Sequence, residues 1–379
     1  MSLVLDEEQQ LLQDSARDFA TKRCEIDWLR KVRGETDSIG YDADVWRQMV
    51  ELGWTAIPFA EDVGGLGLGY AEVGVVLEEL GRRLAVTPYL SSIVLGGGAV
   101  ELGGSDAQRL EILPGVCAGT TLLALAYQET QRHDPYAIST SANHSGAGYV
   151  LSGRKVLVLD GAAADRLIVV ARTSGATGER DGLSLFLVDP QASGVEITRG
   201  LLLDSRSAAH LTLDNVAVDS GAMIGKLDAG ADVLDEVFDR AAVALSAEML
   251  GGVEESFERT VQYLKEREQF GAKIGSFQGL KHRAARWFCE VELTRSIVAK
   301  ALRAIDARDP KRAELASTCK ARASDAFRLS GQEGVQMHGG MGVTDEADIG
   351  FFLKRARVSE LLLGDSAYHR NRFAQIRGF

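Results

Sequence analysis

The stretch YLKEREQFGAKIGSFQ, Tyr263–Gln278, closes one long helical pattern and opens another. Upstream, apolar residues recur at helical spacing from about Val233 to Arg267. Downstream they run from about Phe277 to Ala307, from Lys311 to His338 and from Asp345 to Leu363, with a short last segment near Ser366–Gln375. Pro310 separates the second run from the third. These lengths are those of an up-down helix bundle. The connecting loop holds a cation (Arg267), an exposed-looking aromatic (Phe270) and a glycine, a set that can grip a phosphate and stack a planar ring.

Working back along the chain, the pattern changes. Thr121–Tyr127, Tyr149–Asp160, Leu167–Arg172, Leu183–Val188, Val195–Gly200 and His210–Val218 are short runs rich in Val, Leu and Ile, separated by turn residues. No helical period lies between them, which argues against a parallel βαβ sheet and for an antiparallel barrel or sandwich. Before them, Asp6–Lys22, Ala43–Leu52, Ala71–Leu84, about Ser91–Leu102 and Ala107–Ala118 read as helices. The expected order is therefore α+β in three parts: an N-terminal helical domain (1–119), a middle antiparallel β-barrel (120–228) and a C-terminal helical bundle (229–379).

Composition excludes several classes. The 379 residues carry 54 Asp and Glu against 42 Lys and Arg, a net charge of −12, which repels a phosphate backbone and argues against nucleic-acid binding. No 18-residue apolar run exists to span a membrane. The acidic start has neither the basic flank nor the apolar stretch of a signal peptide. Four scattered cysteines with no CxxC pair predict no metal site and no disulfide framework, and fit a reducing cytoplasm. Proline is scarce (6) and glycine plentiful (41), which permits long helices and suggests points of close backbone approach.

The glycine-dense run Gly64–Gly69 never satisfies G-x-G-x-x-G and follows no clear strand, so it reads as a turn between helices. A second glycine cluster, Gln336-Met-His-Gly-Gly-Met-Gly342, follows a helix and would let backbone amides approach an anion. On residues alone, an ordinary Gly-Gly helix stop is the favoured explanation.

The two segments, their order and the α-β-α layout resemble the acyl-CoA dehydrogenase family. The likeness also takes in Phe59-Ala-Glu-Asp-Val-Gly-Gly-Leu-Gly67, Val76-Leu-Glu-Glu-Leu-Gly-Arg82, Leu151-Ser-Gly-Arg-Lys155 and Ala164-Asp-Arg-Leu-Ile-Val-Val-Ala-Arg172. It implies a C-terminal four-helix bundle, a tetramer, FAD shared between chains, and α,β-dehydrogenation of an acyl-CoA thioester. In that chemistry a carboxylate takes the α-proton, a hydride passes from Cβ to flavin N5, and electrons leave to an electron-transfer flavoprotein.

The resemblance assigns Arg267, Gln269, Phe270, Gln278, Gln336, Gly339 and Gly340 to the half of the FAD site that holds pyrophosphate and adenine of a neighbouring chain's cofactor. The half that cradles the flavin ring departs from the family pattern. Gln128-Glu-Thr-Gln-Arg-His-Asp134 stands where the family has Thr-Glu-Pro followed by Gly-Ser-Asp. Leu159 stands where a hydroxyl is expected, leaving Gln128 as the available amide. The family's catalytic glutamate falls on Leu363, and its alternative position falls on Ala241. Asp365 is the candidate base, with a helix N-cap as its competing role. Asp239 and Arg240 are candidate contacts to the pantetheine arm, or a plain Asp-Arg pair. Two readings follow: a homo-oligomeric dehydrogenase with an unusual base, or a non-catalytic partner that completes the FAD site of a hetero-oligomer. Nitroalkane-oxidase-like chemistry and a flavin-binding protein without dehydrogenase activity stand behind them.

Overall fold

The computed structural model describes residues 4–32 and 39–379. In chain order the helices α1 (Glu7–Arg23), α2 (Ile26–Val32), α3 (Ala43–Glu51), α4 (Tyr70–Arg82), α5 (Gly98–Gly103) and α6 (Asp106–Cys117) precede the strands β1 (Leu123–Ala126), β2 (Ser141–Ser145), β3 (Gly148–Leu159), β4 (Arg166–Arg172), β5 (Leu183–Val188), β6 (Val195–Leu201), β7 (Ser207–Asp219) and β8 (Met223–Ile224). Then come α7 (Gly230–Glu266), the two-residue strands β9 (Glu268–Gln269) and β10 (Ala272–Lys273), and α8 (Gln278–Asp306), α9 (Arg312–His338), α10 (Ile349–Leu361) and α11 (Ser366–Arg377). The segment before α5, Tyr89–Gly97, is π-helical, where the sequence period suggested an ordinary helix. Capping explains several boundaries. Asp6, Asp42 and Ser105 each accept backbone N–H groups of the first turns of α1, α3 and α6, and Asp6 and Ser105 form full capping boxes with Gln9 and Gln108.

The chain divides into two compact units. One comprises residues 31–69 and 86–241. Its core is a sheet in the order β6-β7-β3-β2-β4-β5-β8, with Leu151, Val158, Leu167, Val169, Phe186, Leu211 and Val216 buried against each other. The expected antiparallel barrel needs correction in two respects. β1 pairs β4 in parallel, Leu123 opposite Arg166, and β2 meets β4 in parallel at Ser141 and Arg172. The end strands β6 and β8 do not pair with each other among the described residues, so the sheet is mixed and its closure is not established. Run order in a sequence carries no record of strand direction, which is why the parallel pair was not foreseen.

In the same unit the run Gly64–Gly69 is a loop folded onto its own approach. The N–H groups of Gly65, Leu66 and Gly67 donate to the carbonyls of Ala60, Ala56 and Phe59 at 2.8–2.9 Å. A Cβ on Gly65 would lie 2.0 Å from the Phe59 carbonyl oxygen. Close self-packing accounts for this glycine.

The other unit comprises residues 1–30, 70–85 and 242–379, and is helical. Arg355 is buried and donates to Glu248 at 2.9 Å and to the carbonyls of Leu84 and Ala85. Trp287 is buried and donates to Ser330 at 2.7 Å. Gly252 lets α7 approach α9, since a Cβ there would lie 2.4 Å from the Phe327 ring. No helix is long and apolar enough to cross a membrane among the described residues.

Candidate functional site

In the helical unit the segment that links α7 to α8 is a minimal hairpin. Gln269 pairs with Ala272, so Phe270 and Gly271 form its two-residue turn. Both have positive φ, +55° and +75°. Such a turn ordinarily takes Asn-Gly, because both central residues are left-handed. A phenylalanine there is an uncommon backbone choice for a residue other than glycine. Phe270 is 92% exposed, with the Phe277 ring edge-on to its own at 6.3 Å. A strained position carrying a bare aromatic is a pattern associated with function rather than with stability.

Around this tip the polar groups are unspent. The guanidinium of Arg267 and the side-chain amides of Gln278 and Gln336 are exposed and have no partner among the described residues. Gln269 donates to the neighbouring Glu268 carbonyl at 2.8 Å. The hairpin is braced from behind by Lys273, which bonds the Glu266 carbonyl at 3.0 Å and Glu268 at 2.7 Å.

The Gly339-Gly340 segment is tied to the same end of α7. One turn before Arg267, Tyr263 stacks on His338 at 4.3 Å between centroids and donates to the His338 carbonyl at 3.3 Å. His338 Nδ1 in turn meets the Gly334 carbonyl at 2.7 Å, and burial lowers its pKa. Gly339 ends α9 with φ +61° and ψ −136°, a backbone open essentially to glycine alone. Gly340 has no such demand: its φ is not positive, and a Cβ there would meet nothing within 4 Å. The fold alone gives no reason for glycine at 340, which leaves room for a group outside the chain. Arg267, Phe270, Gln336 and Gly340 thus present a cation, a ring face, an amide and open backbone, and these fit a diphosphate joined to a planar base.

The loop that contains the candidate base lies elsewhere in this unit. Leu363, buried with φ +58°, and Gly364, φ +96°, form the link between α10 and α11. Asp365 caps α11, its Oδ1 accepting from Tyr368 N at 2.8 Å, which is the competing role foreseen for it. Sequence reading missed the group beneath this link. Lys320, on α9, is fully buried and donates to the carbonyls of Glu360 and Gly364 and to Ser324 at 2.9–3.1 Å. Burial pulls its pKa down to about 7, against the opposing pull of Glu360 and Asp365. Glu360 itself is paired with Arg357 at 2.7 Å.

The remaining candidates lie in the sheet-containing unit. Gln128 is buried, and both ends of its amide are engaged: Nε2 donates to the Thr130 carbonyl at 2.9 Å and Oε1 accepts from Tyr127 at 3.2 Å. Tyr127 also meets His133 Nδ1 at 2.8 Å, and the rings of Tyr127, His133 and Phe238 pack together at 4.7–5.6 Å. Glu129 binds the fully buried Lys155 at 2.6 Å and accepts from Ser139 and Thr140. Burial pushes Glu129 up, but the charge of Lys155 and these hydrogen bonds outweigh it and hold the carboxyl at about 2. Leu157 has φ +53°, and the β3–β7 register shifts between Lys155 and Val158. With Gln128 engaged and Leu159 apolar, the two side chains assigned to the flavin ring offer it no free polar group in this arrangement.

Asp239 and Arg240 are both buried, not a surface pair. Arg240 binds Glu101 at 2.9 Å and Glu236 at 2.8 Å. Ala241 is fully buried.

Profiles described as acyl-CoA dehydrogenase N-terminal, middle and C-terminal domain match residues 6–120, 124–216 and 228–376. The chain is 30% identical over 358 residues to the acyl-CoA dehydrogenase IpdE2 of Mycobacterium tuberculosis, covering 94% of this chain and 93% of that protein. Among solved structures it is similar to a variant of the Tcur3481-Tcur3483 steroid ACAD (31% identity, 98% of each chain, TM-score 0.87). It is also similar to the ChsE4-ChsE5 complex from Mycobacterium tuberculosis (27% identity, 100% of each chain, TM-score 0.89).

Proposed function

The chain belongs to the acyl-CoA dehydrogenase family, and from that premise we propose that it serves FAD-dependent α,β-dehydrogenation of an acyl-CoA thioester by supplying the pyrophosphate and adenine half of a flavin site. The observation that carries this is the rim of Arg267, Phe270, Gln336 and Gly340: among the described residues the Arg267 and Gln336 side chains have no partner, Phe270 is 92% exposed, and a Cβ at 340 would meet nothing within 4 Å. FAD, when bound, supplies the hydride acceptor. The residues of this chain would hold it: Arg267 would donate to the phosphates, Phe270 would offer a ring to the adenine, Gln278 and Gln336 would donate amide protons, and Gly339-Gly340 would leave bare backbone for the phosphates. The mixed sheet corresponds in this reading to the family's middle barrel, and α7, α8, α9 and α10 to its four-helix bundle.

Whether the chain also performs the proton abstraction turns on Asp365. Its Oδ1 holds the α11 cap, and Oδ2 has no partner among the described residues. A second reading is favoured by a specific observation: Gln128 is spent internally and Leu159 has no hydroxyl. In this reading the chain is the partner subunit of a hetero-oligomer, completing a flavin site whose ring half lies on another chain. Two of the similar structures are named in pairs, Tcur3481-Tcur3483 and ChsE4-ChsE5, which supports the arrangement and points to steroid or fatty-acyl degradation. A homo- or hetero-tetramer, an electron-transfer flavoprotein as acceptor and a cytoplasmic setting complete the proposal. Asp239 and Arg240 remain its candidates for the pantetheine arm, reached only if Arg240 exchanges Glu101 or Glu236 for substrate.

One experiment divides the two readings. The chain is purified alone, and flavin per protomer and dye-coupled acyl-CoA dehydrogenation are measured. Near-stoichiometric flavin with turnover refutes the partner-subunit reading. Colourless protein that acquires flavin only with a second chain refutes the self-sufficient one. In an active preparation, Asp365→Asn keeps the cap, since Asn caps as well as Asp, and abolishes turnover without flavin loss; unchanged turnover removes Asp365 as the base.

A further inference from the structure

Tyr263 joins the two parts of the rim, the hairpin with Arg267 and Phe270 and the Gly339-Gly340 turn. Its backbone carbonyl accepts from the Arg267 N–H at 2.9 Å, closing the last turn of α7. The Arg267 carbonyl in turn accepts from Ile274 N at 2.9 Å, which shuts the hairpin that carries Phe270. The Tyr263 side chain goes the other way, to the end of α9. Its ring lies on the His338 ring at 4.3 Å and 23°, and its hydroxyl donates to the His338 carbonyl at 3.3 Å.

The His338 ring is itself fixed. A carbonyl can only accept, so the 2.7 Å contact between Nδ1 and the Gly334 carbonyl places the hydrogen on Nδ1 and ties the ring to the last turn of α9. The turn Gly339–Val343 folds back against the same residue: a Cβ on Gly342 would lie 3.0 Å from His338 Cβ and 2.4 Å from the Val335 carbonyl oxygen. The glycine pair is therefore held against His338, and Arg267 is held on Tyr263. A stacked pair of rings fixes orientation as well as distance.

We propose that Tyr263 and His338 are a positioning pair for the diphosphate: their stack sets the gap between the Arg267 guanidinium and the Gly339-Gly340 backbone, so that the two can take the two phosphates of one dinucleotide. The inference rests on the half-site reading above, and holds for either choice of ring half. Arg267 and Phe270 share one element, the hairpin after α7, whereas the glycine pair lies on another. A nucleoside monophosphate is held by the hairpin alone; only a diphosphate spans the gap. Groups already fixed at the right separation bind more tightly, because the ligand does not have to order them. The pair touches no phosphate and acts through Arg267 and the glycines.

Ligand-observed NMR titration of the full chain with ADP and AMP tests it. ADP binds the wild type about tenfold or more tightly than AMP, the scale of one added charged hydrogen bond. Tyr263→Leu removes the stack and the hydroxyl, so ADP weakens to the level of AMP while AMP affinity is unchanged. Tyr263→Phe, which keeps the ring and loses only the hydroxyl, retains most of the advantage of ADP. An ADP-to-AMP ratio as large in Tyr263→Leu as in the wild type overturns the proposal. A proportional loss of both nucleotides also overturns it, since that is the effect of a merely structural tyrosine. A wild type that binds neither nucleotide refutes the half-site reading and this inference with it; one that binds both without preference refutes the inference alone. Circular dichroism confirms that both variants are folded.

Discussion

Replacing Gly340 by alanine separates what the fold needs from what a ligand needs. Gly340 lies in the short helical turn Gly339–Val343, its φ is not positive, and an added Cβ would have no neighbour within 4 Å. For such a site the substitution reduces the freedom of the unfolded chain, and it leaves stability unchanged or raises it by about 0.4–1 kcal/mol. The proposed function demands the opposite for the cofactor. If pyrophosphate oxygens rest against this backbone, the methyl overpacks the contact and costs about 1–3 kcal/mol, or roughly 5- to 150-fold in FAD affinity. The assay is a pair of measurements on the flavin-bearing assembly: the thermal midpoint of the protein, and the FAD dissociation constant by flavin fluorescence. The expected pattern is an unchanged or slightly higher midpoint with weaker flavin binding. Gly339→Ala is the wrong control, since its φ +61°, ψ −136° backbone is strained in any other residue and would lower both. Gly340→Ala with wild-type flavin affinity would refute the assignment of this glycine to the phosphates.

Other consequences follow from buried charges. Glu129→Gln leaves the buried Lys155 without its carboxylate and lowers unfolding free energy by about 3–5 kcal/mol in urea titration, while adding Lys155→Met restores much of it, because a lone buried ion is worse than none. Below neutrality, Glu129 is held near 2 against an ordinary 4.5. Its contribution is therefore full above about pH 4.5 and is lost as pH falls toward 2, and the acid limb of the wild-type stability curve should flatten in Glu129→Gln. Lys320 has the opposite sign. Its pKa is near 7 folded and 10.5 unperturbed, so the unfolded chain holds the extra proton between those values and wild-type stability rises with pH across the window. Lys320→Met removes that rise, and the wild type should gain about 3 kcal/mol over the variant from pH 7 to pH 9.5; a constant difference would show that Lys320 does not titrate there.

Much of the architecture was legible because apolar spacing is a direct imprint of burial. Gly230–Glu266, Gln278–Asp306 and Arg312–His338 end within three residues of the expected bounds. β2 was not legible: Ser-Ala-Asn-His-Ser carries no alternation, and the strand exists only because Ala142 and His144 find Leu151 and Tyr149 opposite them. The parallel β1–β4 pair is likewise a product of tertiary pairing. In the candidate site, Arg267, Phe270 and the Gly339-Gly340 pair were found from residue type and order. Their physical connection, Tyr263 stacked on His338, was not, since the two lie 75 residues apart. Lys320 escaped because one lysine among Ser, Ala and Cys on α9 has no pattern to mark it.

The two halves of the expected flavin site differ in a way that bears on their use. A group that must bind something outside the chain keeps its hydrogen bonds unspent, whereas a group released from that duty is driven to satisfy itself internally when buried. Arg267, Gln278 and Gln336 are in the first state and exposed, so their open valences cost nothing in water. Gln128 is in the second: it is buried, with its oxygen on Tyr127 and its nitrogen on the Thr130 carbonyl. For Gln128 to turn toward a flavin it would have to give up both its bond from the Tyr127 hydroxyl and its bond to the Thr130 carbonyl. Each broken bond between neutral groups forfeits about 0.5–1.5 kcal/mol, so the flavin contact would need to return more than two such bonds to be populated. The Tyr127-Gln128 arrangement is therefore a test in itself: Gln128→Leu should leave flavin binding untouched if the ring half lies on another chain, and should diminish it if this chain holds its own flavin ring.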